Sequence, residues 1–215
     1  MFTEIEVECL PEFLAPLRNH GIEALVVLGP DVNCKKNRGR ALRTMHPWNM
    51  HRAAKALSCC ETVADIEFES APLITRECLH SGNFARTNWA PLWIKQGFNS
   101  LYIVKIPIAM DRHFECLLFS RREGSSQAEA SAIAFHVLTA WPKIKHEILS
   151  KQQLLTRAEQ LVLRLSALGD TSQQVAVRAN MSERMVNFHI GSSLRKLNAS
   201  NKTSAILKAI MMGIL

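Results

Sequence analysis

"SERMVNFHIGSSLRKL", residues 182–197, carries Val186, Ile190, Leu194 and Leu197 at intervals of four, four and three, the spacing of a helix with one buried stripe. Asn187, Gly191 and Arg195 align at intervals of four on the opposing side, with Arg184, His189 and Lys196 alongside. A glycine inside a helix costs about 1 kcal/mol relative to alanine, so the bare position at 191 needs a reason. The preceding "ANMS" is about as long as the turn of a helix-turn-helix. A polar, basic outer face on the second helix of such a pair suits entry into a DNA major groove.

Working outward, four helices can be drawn between Leu155 and Leu215. Thr156 with Glu159 and Thr171 with Gln174 fit the capping box, in which the hydroxyl takes a backbone N–H and the side chain three residues on reaches back. Ser182 suits the N-cap of the third helix, and Thr203 lies near the start of the fourth. That last helix, "SAILKAIMMGIL", is apolar almost all round and must be buried, either on the N-terminal domain or in a two-fold dimer contact. Charge follows the same division. Residues 1–150 hold 17 Lys or Arg against 16 Asp or Glu, whereas residues 151–215 hold 9 against 3. Nearly all of the net +7 is therefore in the last third, as expected of a module that meets nucleic acid phosphates. A merely solvated basic face would give the same count.

These residues resemble the LuxR-type helix-turn-helix. The likeness runs without a gap from Leu155 to Leu215 through "LT" at 155–156, Glu159, "VL" at 162–163, Ala167, Gly169, "VA" at 175–176, "SE" at 182–183, Val186, His189, "LRKL" at 194–197, Thr203, Ala205 and the closing "GIL". It implies a dimeric, quorum-sensing type of transcription regulator whose partner is double-stranded DNA. It also implies that Asn187, Phe188 and Gly191 reach base edges. Arg184, Met185, His189, Arg195, Lys196 and Lys202 complete the implied DNA-binding set, the cations as phosphate contacts that set position more than sequence. The chain departs from the family at Gln174, Met185, Asn187 and Asn198, where glutamate, threonine, a cation and glycine are usual. Met185 gives up a hydroxyl and Asn187 a positive charge. Asn187 can instead pair with an adenine, a contact worth about 1–3 kcal/mol of discrimination. The losses also admit an alternative, an anti-activator that forms a heterodimer with a related regulator and silences it without reading DNA itself.

The first 150 residues mix both kinds of structure. Pro11 and Pro16 punctuate an N-terminal helix, and "IEALVVL", residues 22–28, reads as a strand ended by a Gly29-Pro30 turn. "CKKNRGR" then reads as a basic loop. Helical spacing appears in "WNMHRAAKAL", residues 48–57, and again in "TNWAPLWIKQG". "SLYIVKIPIAM" and "HFECLLFS", joined by "DR" at 111–112, look like an antiparallel hairpin. Residues 127–149 read as a long helix with Ala132, Phe135, His136, Leu138, Trp141 and Ile144 on one side, kinked or split at Pro142. The expected fold is α+β: an N-terminal α/β/α sandwich with an antiparallel sheet at 1–149, a polar linker at 150–154, and a four-helix helix-turn-helix domain at 155–215.

LuxR-type modules are fused to receiver domains or to autoinducer-binding domains. "VVLGPD" lacks the acidic pair of a receiver, and the N-terminal half resembles the autoinducer type, with Trp48, Trp89, Trp93 and Tyr102 as pocket candidates. The resemblance implies an acyl-homoserine lactone or another small apolar ligand. The family's tyrosine and Asp-Pro have no match, since Arg52 stands four residues after Trp48 and Asp65 is followed by isoleucine. No other cofactor is expected. His51 with Cys59 or Cys60, and Cys78 with His80, lack the third group that catalysis or metal binding needs, so neither an enzyme nor a metal site is expected. Six cysteines without repeated spacing suggest reduced thiols. With no apolar run near 18 residues and an acidic start, "MFTEIEVE", the expectation is a cytoplasmic protein that does not enter membranes.

Overall fold

The computed structural model describes residues 4–31, 39–58, 74–81, 84–108, 112–124, 126–152 and 154–215. They fall into a first unit ending at Lys151 and a second holding Gln152–Leu215. The first is built on a five-stranded antiparallel sheet of order β2-β1-β5-β4-β3, with strands Ile22–Pro30 (β1), Arg40–His46 (β2), Ile74–Cys78 (β3), Ser100–Pro107 (β4) and His113–Ser120 (β5). The central strand β5 and its neighbours β1 and β4 are buried along nearly their whole length because helices cover both faces of the sheet. On one face Ala24, Val26, Leu28, Leu101, Ile103, Leu117 and Phe119 pack with Ala53, Ala54 and Leu57 of α2 (His51–Ser58) and with Trp89, Ala90 and Trp93 at α3 (Ala90–Ile94). The alternating residues Leu25, Val27, Tyr102, Cys116 and Leu118 are buried on the other face. There Phe114 meets Trp141 of the long helix α4 (Gln127–Gln152), and Phe13 of α1 (Leu10–Leu14) stacks on His136. The α/β/α sandwich read from the sequence is therefore the fold observed.

Several local expectations change. Gly29-Pro30 does not turn the chain, because β1 continues through it and pairs Gly29 with Ala41 and Pro30 with Arg40. The glycine is there for space: a Cβ would lie 2.6 Å from Arg43 Nε and 2.7 Å from the Phe114 ring. Helix α2 begins at His51 rather than Trp48, which sits in a preceding single turn and is 37% exposed. β4 stops at Pro107, so the hairpin connection is longer than the two residues expected, and Asp111 lies outside the described residues. So do Cys34, Cys59, Cys60, Asp65 and most of "CKKNRGR". Helix α4 passes Pro142 as one element and takes in Ser150, Lys151 and Gln152, three residues of the expected linker. Its buried side holds Ala130, Ile133, Ala134, Val137, Trp141, Ile144 and Ile148, while Ala132 and Phe135 face outward. None of the described helices is long and apolar enough to cross a membrane.

The second unit consists of helices α5 (Arg157–Ala167), α6 (Ser172–Ala179), α7 (Glu183–Lys196) and α8 (Lys202–Met211). Val162, Leu165, Val175, Ala176 and Val186 form its core, and Ala179, Met181 and Ile190 close it from the side. α7 packs on α5 and α6, and α8 packs on α5 and α7. α8 inserts Ala205 and Ala209 completely and leaves Leu207 exposed, so its apolar surface is only partly used within the unit.

Candidate nucleic-acid interface

Local chemistry fixes each end of the helix pair α6–α7. Thr171 Oγ1 accepts the Gln174 amide at 3.3 Å while Gln174 Oε1 accepts the Thr171 amide at 2.8 Å, a complete capping box. α6 ends in Asn180, whose φ of 52° is the left-handed conformation that asparagine tolerates. The Met181 amide then donates to Ala176 O at 2.9 Å and the Met181 side chain closes over the core. Ser182 opens α7 by accepting the Met185 amide at 3.2 Å. The turn is therefore held at both ends by hydrogen bonds and at its centre by an apolar anchor. At the far end Asn198 takes φ 50°, the role expected of it in place of glycine, and Lys208 Nζ donates to the carbonyls of Leu197 and Asn198. Asn201, not singled out in the sequence, caps α8 through the Ser204 amide at 2.8 Å, ahead of Thr203 in its first turn.

Packing decides which side of α7 faces out. Val186, Ser193 and Leu197 are buried, whereas Ile190 and Leu194 are only half-buried. The expected apolar stripe is thus rotated toward Ser193, which fits because its hydroxyl is satisfied internally by donating to His189 O at 2.8 Å. Opposite lies an exposed face of Arg184, Asn187, Phe188 and Arg195 around Gly191. A Cβ at Gly191 would meet nothing within 4 Å, so the glycine is not required by packing. Asn187 is oriented from α6: Ser172 Oγ donates to its Oδ1 at 3.0 Å. Phe188 is 65% exposed, its ring T-shaped to that of His189 with centroids 5.7 Å apart, and Met185 is 50% exposed. Sequence reasoning missed Ser172, since nothing local marks a bond that spans fifteen residues.

Two implied phosphate contacts are placed differently. Lys196 Nζ donates to Glu159 Oε2 at 2.8 Å and so spends its charge inside the unit. Glu159 is 3% exposed and also receives the Thr156 amide and the Ser192 hydroxyl. Burial works to raise its carboxyl, but these donors and the Lys196 charge outweigh it and hold it below the usual carboxylate range. His189 is half-buried, with Nδ1 enclosed and without a partner among the described residues. Arg178 pairs with Asp170 at 2.5 Å. Of the implied DNA-binding cations, Arg184, Arg195 and the half-buried Lys202 have no carboxylate partner among the described residues.

The four aromatic pocket candidates are not brought together. Trp89 and Trp93 are fully buried on the α2/α3 face of the sheet, and Trp93 lies flat on Phe119 with ring centroids 3.5 Å apart. Tyr102 is buried on the opposite face, because its neighbour Leu101 is the one that pairs with Phe119. Trp48 is at the surface beside His51. The Trp93 Nε1 is enclosed without a hydrogen-bond partner among the described residues. His51 bonds to Glu4, and His80 Nε2 to Asn99 Oδ1 at 3.0 Å.

With this geometry in place the likenesses to known proteins are informative. Residues 153–209 match the family model of bacterial regulatory proteins, luxR family. The transcriptional activator protein AnoR of Acinetobacter nosocomialis is 46% identical over 61 residues, 28% of this chain and 26% of that protein, so the match spans about a quarter of the relative's length. Over nearly the whole chain the structure is similar to the crystal structure of Escherichia coli SdiA, with a TM-score of 0.52 at 20% identity, covering 96% of this chain and 90% of that one. SdiA in complex with octanoyl-rac-glycerol matches with a TM-score of 0.51 at 19% identity, covering 96% and 88%. The two SdiA structures show a shared fold. The C-terminal helices, matched in sequence over residues 153–209, are a helix-turn-helix domain of the luxR family of bacterial regulatory proteins.

Proposed function

We propose that the protein is a cytoplasmic transcription regulator that binds double-stranded DNA as a homodimer, with α7 in the major groove. The observation that carries this reading is the capped α6–turn–α7 unit, which turns Arg184, Asn187, Phe188 and Arg195 outward while Val186 and Leu197 anchor the opposite side. Asn187, held by Ser172, reads an adenine, and Arg184, Arg195 and Lys202 contact phosphates. Dimerisation through α8 agrees with the exposure of the apolar Leu207 on that helix. The test is fluorescence anisotropy of the full chain with genomic duplexes at two salt concentrations. Sequence-selective competition is expected. Absence of retention, with a stable complex formed with a related regulator instead, would replace this reading by the anti-activator one.

The first unit is the regulatory half in this proposal and takes a small apolar ligand with a carbonyl on the Trp89/Trp93 face. Its support is the enclosed Trp93 Nε1, which has no partner among the described residues, because an unpaired buried N–H costs about 1–3 kcal/mol that an accepting oxygen would restore. The same fold in SdiA accompanies octanoyl-rac-glycerol. Mass spectrometry of small molecules released from purified protein should find an acyl compound in the wild type and a reduced yield in Trp93→Phe. A protein free of small molecules in both preparations would remove this part of the reading.

A further inference from the structure

The bare position on α7 has a definite neighbourhood. A helical side chain covers the turn on the N-terminal side of its own Cα, so a side chain at 191 would lie over Asn187 and Phe188, four and three residues before it. Glycine leaves the inner flanks of both uncovered, and the space a Cβ would enter is open. The result is a notch with Gly191 as its floor and Phe188 as its wall. Both of its neighbouring side chains are braced: the Phe188 and His189 rings lie T-shaped with centroids 5.7 Å apart, and Ser172 Oγ donates to Asn187 Oδ1 at 3.0 Å. The exposed cations Arg184 and Arg195 lie one turn or two on either side of Phe188, so an apolar ring that is 65% exposed stands in the middle of a surface suited to polyanions.

We infer that the Phe188–Gly191 notch receives the 5-methyl group of a thymine beside the adenine that Asn187 pairs with. In the major groove the thymine methyl is the one apolar group presented by a base edge, and an aromatic ring is a fitting contact for it. An apolar side chain over a phosphate would gain nothing, and a side chain at 191 would fill the space the methyl needs. The inference rests on the DNA-binding reading above and assigns a base preference to it: Asn187 selects adenine through hydrogen bonds, and Phe188 with Gly191 selects thymine through shape.

The experiment begins by selecting duplexes from a randomised pool with the whole 215-residue chain. Each thymine of the enriched sequence is then replaced by deoxyuridine, which lacks only the methyl, and binding is followed by anisotropy. In the wild type, one thymine per half-site should lose affinity roughly fourfold on replacement, the factor for burying one CH2-sized group. Phe188→Ala should bind the thymine and uracil duplexes equally, and Gly191→Leu should lose the thymine preference by filling the notch. Circular dichroism checks that both surface variants keep their helix content. Failure to enrich any sequence would overturn the DNA-binding reading and this inference with it. Enrichment with no uracil effect, or a uracil effect that persists in Phe188→Ala, would overturn the inference alone.

Discussion

Gly191 shows how one residue changes meaning between sequence and structure. Its place on the polar side of an amphipathic helix is legible from the spacing of its neighbours, but whether a side chain was excluded there by packing is not. The open space around its Cβ position answers that. Gly191→Ala should therefore stabilise the domain by about 0.5–1 kcal/mol, the ordinary gain for removing glycine from a helix interior. Urea unfolding of the second unit's helices would measure it, and a loss of stability would mean that the position is crowded after all. Gly191→Lys should keep that stability and redirect selection toward sites with guanine in place of the contacted thymine, since a lysine bonds guanine O6 and N7. An unchanged selected sequence would mean that α7 does not enter the groove. Gly29 is the opposite case: its residue type suggested a turn, while its actual use, space for Arg43 and Phe114, depends on strands that only the sheet brings together.

At the scale of elements, the helix starts were legible because a cap is a contact between residues three apart. Thr156, Thr171 and Ser182 all accept the amides expected of them. Thr171→Ala should cost about 1 kcal/mol, as N-cap hydroxyls usually do, measured as a lowered urea midpoint with an unchanged slope. The bond from Lys196 to Glu159 was not legible for the converse reason, since Glu159 lies 37 residues before it. That pairing has a pH signature. Glu159 has its carboxyl held below the usual range in the fold, so the stabilisation is present above the unfolded-state value near 4.5 and is lost as pH falls through the lower folded value. Glu159→Gln should flatten the acid limb of a stability–pH profile while lowering stability at neutral pH. A mutant with the same acid limb as the wild type would show that other carboxylates dominate, Glu147 among them, held down to about 2: burial works to raise it, but the Cys9 thiol, the Glu8 and Cys9 amides and Lys151 outweigh that.

For the whole molecule, the α+β class and the hairpin of β4 and β5 followed from β-branched runs, but β2 and β3 did not. "RALRTMH" and "ITREC" are edge strands whose polar residues break the apolar alternation, and charge at an edge blocks unwanted pairing rather than signalling a strand. The net charge was legible only as a total for the C-terminal third, and the structure divides it into cations that are paired and cations that face solvent. That division makes a quantitative prediction. In the proposed dimer, Arg184, Arg195 and Lys202 of two protomers give about six phosphate contacts, so the logarithm of affinity should fall with the logarithm of salt at a slope near −5. Affinity should then drop on the order of a thousandfold between 50 and 200 mM salt. Arg195→Met should make the slope shallower by about 2, one contact from each protomer. Lys196→Met should leave the slope almost unchanged and instead lower the melting temperature, because it strands the buried Glu159 carboxylate. Equal slope changes in the two variants would mean that Lys196 leaves Glu159 when DNA binds, and that the pairing of α7 with α5 is exchanged for a phosphate.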